Sequence, residues 1–119
     1  YRLAADQGHA DAQFNLGVWH VDGQRAPQDY TEAMRWYRLA ADQGHADAQF
    51  NLGVMHINGQ GVPQDYITMH MWFNLAAVNG NDRAAKNRSI VASQMTADAI
   101  AEAQRRARLC IDSNYQDCD

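Results

Sequence analysis

No apolar run in the sequence approaches the roughly 20 residues that a membrane-spanning helix needs. No basic, apolar, small-residue leader opens it, so no signal peptide is read. Positive charge is scarce. Lys and Arg number 10 against 14 Asp and Glu, for a net charge of −4. Up to Gly80 the acids outnumber the bases, and beyond it the signs balance. An acidic body argues against a phosphate-binding surface, so nucleic acid is excluded as the expected partner. Arg105, Arg106 and Arg108 read instead as the solvated face of a terminal helix. There is no Ser-His-Asp grouping, phosphate loop or dinucleotide fingerprint, so neither an enzyme nor a cofactor is expected. Asp112-Ser113-Asn114 opens like a calcium loop but lacks the central glycine and closing glutamate. Hydrophobic residues at 46% and charged residues at 20% nevertheless describe an ordinary folded domain, and 119 residues suffice for one.

What the sequence does have is repetition. Tyr1 to Val18 reads YRLAADQGHADAQFNLGV, and Tyr37 to Val54 repeats it letter for letter, 36 residues on. The register continues through His20 and His56, Gly23 and Gly59, Pro27 and Pro63, Asp29 and Asp65, and Trp36 and Trp72. A third copy opens at Phe73 with FNLAAVNG and then diverges. A period of this length predicts a stacked array of supersecondary units. The chain divides into a partial repeat over 1–8, repeats over 9–44 and 45–80, and a divergent C-terminal part over 81–119. Because Tyr1 matches the middle of a repeat, the chain is expected to be a fragment of a longer one.

Each period predicts two helices. The first, about Ala10 to Asp22 and Ala46 to Asn58, sets Ala12, Leu16 and Trp19 on one stripe and Phe14, Val18 and Val21 on another. A helix apolar on two sides is packed between neighbours. Gly23 and Gly59 end these helices, and the chain's only two prolines, Pro27 and Pro63, prevent continuation. Asp29 caps the second helix, with Glu32 three residues on completing a capping box; Asp65 repeats the cap with Thr68 in place of the glutamate. Gly8, Gly44 and Gly80 end the second helices in left-handed caps. Gly17 and Gly53 stand inside helices, where glycine costs about 1 kcal/mol relative to alanine. Such a cost predicts another helix backbone passing close by.

Ala48, Leu52, Gly53, His56 and Gly59, then Gly61, Val62 and Asp65, then Trp72, Phe73, Ala76, Ala77 and Gly80, form a pattern that resembles the Sel-1-like repeat, a relative of the tetratricopeptide repeat. The resemblance covers about Tyr1 to Gly80. It departs at His20 and His56, where the family usually has tyrosine, and at Arg25-Ala26, which replace glycine-valine. The resemblance implies an all-α fold, an α/α solenoid wound as a right-handed superhelix. It further implies a non-enzymatic adaptor or scaffold for protein-protein interaction, of a kind widespread in bacteria.

After Gly80 the register breaks, and Arg88-Ser89 occupy the leucine-glycine positions. Asn81 is expected to cap a helix through Ala84, Ala85, Ile90, Val91 and Met95. Thr96 caps a final helix, with Asp98 in its first turn. That helix carries Ile100, Ala103, Ala107 and either Cys110 or Ile111 on one face and Glu102 and the arginines on the other, as a solenoid cap requires. At the opposite end, Tyr1 to Gln7 is half a helix, which predicts an uncovered apolar face and self-association there. Cys110 and Cys118 would lie roughly 12 Å apart on a continuous helix, whereas a disulfide needs about 7 Å or less. A bond therefore requires a turn near Ser113-Asn114; two inert thiols are the alternative. Some cysteine-rich secreted members of the family bridge cysteines at this spacing, which would imply an oxidising, periplasmic or secreted setting.

Zinc is not expected at this tail, for want of a nearby histidine. His20 and His56 read as substitutes for a packing tyrosine, with a metal pair as the weaker alternative. His9 and His45 begin helices and are expected to face solvent, and His70 has no evident partner. In the superfamily the first helix of each pair lines the concave groove. Asp11, Asn15, Val18 and Asp22 share one face of it, and Asp47, Asn51, Val54 and Asn58 repeat the set. Asn15 and Asn51 offer a two-step amide ladder to an extended peptide, and the acids favour a basic or neutral segment. The asparagines tying neighbouring helices together is the competing reading. Two other roles stay open: a structural piece of a longer solenoid, and an inhibitor whose acidic face imitates an enzyme's substrate.

Overall fold

The computed structural model describes residues 8–22, 29–58 and 65–118, and among these it forms six helices and no strand. They are α1 (Ala10–Asp22), α2 (Tyr30–Ala41), α3 (Ala46–Asn58), α4 (Tyr66–Val78), α5 (Ala84–Ala92) and α6 (Ala97–Asp112). α3 and α4 begin 36 residues after α1 and α2, so the sequence period is the spatial period. α1 packs on α2, α2 on α3 and α3 on α4, and α4 then carries both α5 and α6. The result is an all-α solenoid of helix pairs. Gly23, Pro27, Gly59 and Pro63, and the whole of Tyr1 to Gln7 with its expected apolar end, lie outside the described residues.

The helix starts follow from acceptors placed before them. Asp29 accepts the Glu32 N–H at 3.1 Å. Asp65 accepts the N–H groups of Ile67 and Thr68 and the Thr68 hydroxyl, at 3.1, 3.2 and 2.8 Å. The expected capping box at Asp29 does not close. The Asp29 N–H donates to the His20 carbonyl at 2.9 Å, and Glu32 receives Arg35 instead, which holds its carboxyl below the usual range. Gly44 and Gly80 turn the chain out of α2 and α4 at φ +82° and +104°, where a Cβ would be strained.

The glycines inside α1 and α3 have a different reason from the one expected. A Cβ on Gly17 would stand 2.5 Å from Cε1 of Tyr37, and one on Gly53 would stand 2.6 Å from Cε1 of Phe73. What passes close is therefore an aromatic ring of the paired helix, not its backbone. Tyr37 and Phe73 are buried as a result, each removing from water a side chain whose burial stabilises by about 1.5–3 kcal/mol. That outweighs the roughly 1 kcal/mol that glycine costs the helix.

The C-terminal part departs from the array. Asn81 does not cap α5 directly. It accepts the Arg83 N–H at 3.0 Å in a turn, and α5 begins three residues after it with no side-chain cap. Ala84 and Val91 are buried, but Ala85 and Ile90 are exposed, contrary to the expected apolar set. The cause is α6. It packs on α4 and leaves α5 almost alone. Thr96 caps α6 by accepting the Ala99 N–H at 3.1 Å. The buried residues of α6 are Ala103, Ala107 and Cys110, with Ile111 outside. Ala107 and Cys110 join Met71, Trp72 and Leu75 of α4 in the main core.

Beyond α6 the chain reverses, with Asn114 and Tyr115 both at positive φ, 55° and 65°. The Tyr115 N–H donates to the Cys110 carbonyl at 2.7 Å. Cys110 and Cys118 are joined by a disulfide, their Cα atoms 4.3 Å apart. The Tyr115 hydroxyl accepts from Asn79 Nδ2 at 3.0 Å, and its ring lies over Gly44. The tail thus touches the closing turns of both complete repeats.

Candidate partner-binding face

α1 and α3 carry the residues expected to meet a partner. Their polar positions divide into two groups. Asp11 and Asp47, the first acids of the two helices, are exposed to solvent yet already bonded. His45 Nε2 bonds Asp11 Oδ1 at 2.9 Å, and Asn81 Nδ2 donates to Asp47 Oδ1 at 2.9 Å. His45 and Asn81 hold the same position in successive repeats, so each acid ties its helix to the start of the next repeat. His45 is consequently not solvent-facing. It stacks on Phe14 with ring centroids 4.8 Å apart, and its Nδ1 accepts the Ala48 N–H at 3.1 Å. With Nδ1 accepting, the Nε2–H of the neutral ring is the donor to Asp11. His9 is exposed.

A second rung was hidden in the sequence. Gln13 and Gln49 are buried. Gln43 Nε2 donates to Gln13 Oε1 at 2.7 Å, and Asn79 Nδ2 donates to Gln49 Oε1 at 3.0 Å, again one repeat apart. Gln49 also donates to the Ala41 carbonyl at 3.0 Å. Buried amides held this way are satisfied, and losing one partner would strand the other. The signal available was a glutamine repeated at the 36-residue offset inside an otherwise apolar helix.

Asn15 and Asn51 are the other group. Both are half-buried, and among the described residues neither side chain makes a hydrogen bond. Val18 is half-buried against the main core and Val54 against the α4–α5 core. Asp22 and Asn58 end α1 and α3, and their side chains lie outside what the structure describes. The face therefore alternates between residues used to join repeats and an unpaired amide. His56 is buried and His20 half-buried, both near the caps of the following helices. Burial works to raise the Asp65 carboxyl, and the Thr68 hydrogen bonds outweigh it, so it titrates below its ordinary value. No group of three or more metal-ligating side chains forms among the described residues.

The Sel1 repeat family model matches residues 1–9, 10–45 and 46–81, each match closing within one residue of a turn glycine. The chain belongs to the Sel1 repeat family. This Sel1 repeat protein is similar to c5321, a protective antigen of uropathogenic Escherichia coli strains with an SLR fold, at 34% identity and a TM-score of 0.90. It is also similar to a Sel1 repeat protein from Oxalobacter formigenes, at 35% identity and a TM-score of 0.72. The likeness covers 96% and 74% of this chain but 26% and 66% of those chains. No curated protein matches. Sel1 repeats typically act as protein-interaction scaffolds. No helix among the described residues is long and apolar enough to cross a membrane.

Proposed function

We propose that this Sel1 repeat protein is a non-enzymatic scaffold that holds an extended segment of a partner protein along α1 and α3. The observation that carries the reading is the pair Asn15 and Asn51. Every other polar side chain described in the first half of these helices is bonded to the turn that closes its repeat or to the first residue after it, whereas these two side-chain amides have no partner among the described residues. An amide has both donor and acceptor, the pairing a peptide backbone requires. One such amide per repeat gives a ladder that extended chain can follow. Asp11 and Asp47 flank it and favour a basic or neutral segment. The Cys110–Cys118 disulfide supports a reading in which the protein works in an oxidising setting, periplasmic or secreted.

The test is crosslinking capture from periplasmic extract, comparing the native chain with an Asn15→Ala/Asn51→Ala variant of equal thermal stability. A specific protein retained by the native chain and lost by the variant is the expected result. The same partners for both would remove the asparagine ladder as the site. A variant that loses stability instead would make the asparagines structural. A second reading has its own support. The chain spans 26% of the Escherichia coli antigen, so it also suits a structural segment of a longer solenoid whose ligand sits on other repeats.

A further inference from the structure

We propose that a cavity enclosed by α2, α3, α4 and α6 binds a carboxylate carried on a small apolar body. The cavity measures about 270 Å³, near the lower end of small-ligand sites and enough for one amino-acid residue with its terminal carboxylate. Its polar wall is drawn from every enclosing helix: Arg38 from α2, His56 from α3, Thr68 from α4 and Arg106 from α6. Trp72 supplies an apolar floor, and Cys118 brings the disulfide to its edge. In an acidic chain, two arginines distant in sequence line one small space.

Both guanidinium groups are positioned from outside the cavity. Arg38 Nε donates to Asp42 at 2.9 Å, and Arg106 Nε donates to Glu102 at 3.1 Å. Neither acid lines the cavity. The Arg38 guanidinium carbon also sits 5.2 Å from the Trp72 ring centroid, a cation-π geometry that holds the plane of the group. An arginine has five N–H donors in a fixed fork, and a carboxylate takes two in parallel. The fork of Arg106 keeps its two terminal nitrogens beyond the Nε bond to Glu102. Trp72, with Met34 and Met71 beside it, accepts an aliphatic side chain next to the charge. The site shares no residue with the α1/α3 face and does not depend on the reading given for it.

Calorimetric titration of the whole chain with N-acetyl-leucine and with N-acetyl-leucinamide tests the proposal. The acid is expected to bind and the amide to bind at least tenfold more weakly. Arg106→Gln should weaken the acid at least tenfold and leave the amide unchanged. Glu102→Gln, which breaks the same ion pair without removing the fork, should keep acid binding. Arg38→Gln serves as the second variant should Arg106→Gln lower the melting temperature. Equal binding of acid and amide, binding of neither, or undiminished acid binding by both arginine variants would overturn the site. A pentapeptide ending in leucine separates the sources of the group. Binding tenfold tighter than N-acetyl-leucine assigns the site to a chain terminus, and equal binding assigns it to free carboxylic acids. Both patterns require the arginine dependence, and neither should change in the Asn15/Asn51 variant.

Discussion

The second helices of the two complete repeats are built on one pattern and live in different surroundings. In α2, Arg35 and Leu39 lie on the outward face, Leu39 40% exposed. In α4 the same register positions hold Met71 and Leu75, at 2% and 0% exposed, packed with Ala107, Cys110 and Cys118. α6 has settled on the outside of α4 instead of stacking beyond α5. A repeat buried on one more side becomes apolar on one more side, and the change from arginine to methionine at that position records it. The inner positions do not change. Tyr37 and Phe73 fill the notch left by Gly17 and Gly53, and Gln13 and Gln49 alike accept from the closing turn of their own repeat.

The largest expected effect comes from breaking this asymmetry directly. Leu75→Ala should cost about 2–5 kcal/mol by leaving a cavity under α6, while Leu39→Ala should cost under about 1 kcal/mol. Urea denaturation of both variants measures the gap, and equal losses would mean that α6 does not cover α4 in solution. Next is the tail that pins α6 down. Replacing Cys110 and Cys118 with serine should cost about 2–3 kcal/mol through the loop entropy the crosslink removes. It should also weaken the Tyr115 contacts to Asn79 and Gly44, read as faster amide exchange at those two turns. Unchanged stability on reduction would count against that role.

Gly53→Ala sharpens what the repeats share. The added methyl meets the buried Phe73 ring, and a loss of about 1–3 kcal/mol is expected in thermal melts despite alanine's better helix propensity. Gly17→Ala should act the same way through Tyr37. If either stabilised the protein, the ring would be free to move and the notch would not explain the glycine. The smallest effect is one of pH. His70 is buried, its Nδ1 has no partner among the described residues, and burial first, then the charge of Arg88, push its pKa down. A base with a depressed folded pKa contributes full stability above its unfolded pKa of about 6.5 and loses it as pH falls toward the folded value. His70→Met, which copies Met34 of the preceding repeat, should flatten stability against pH below about 6.5. An unaltered profile would assign the acid sensitivity elsewhere.

The positions that each repeat needs for itself were legible. Asp29, Asp65 and Thr96 act through atoms two or three residues away, and Gly44 and Gly80 through their own φ, so local sequence sufficed. The seam was half legible. Asp11, Asn15, Asp47 and Asn51 stood out by repeating on one face, but which of them bond across to the next repeat depends on how the helices cross. His45 looked like a surface histidine because nothing near it in sequence announces Phe14 or Asp11, each more than 30 residues away.

The 18-residue identity at an offset of 36, with the pattern that continues it, by itself determined that this chain forms stacked helix pairs. A unit whose first helix and preceding turn repeat letter for letter buries that helix in the same way each time, through its alanine, glycine and aromatic pattern. Only the tertiary structure decided where the last helix goes. α6 has one apolar face and no matching repeat to copy, so its place depends on which buried surface remains open. Met71 and Leu75 offered that surface, and closing it is also what brings Arg106 and Cys118 to the cavity beside Trp72.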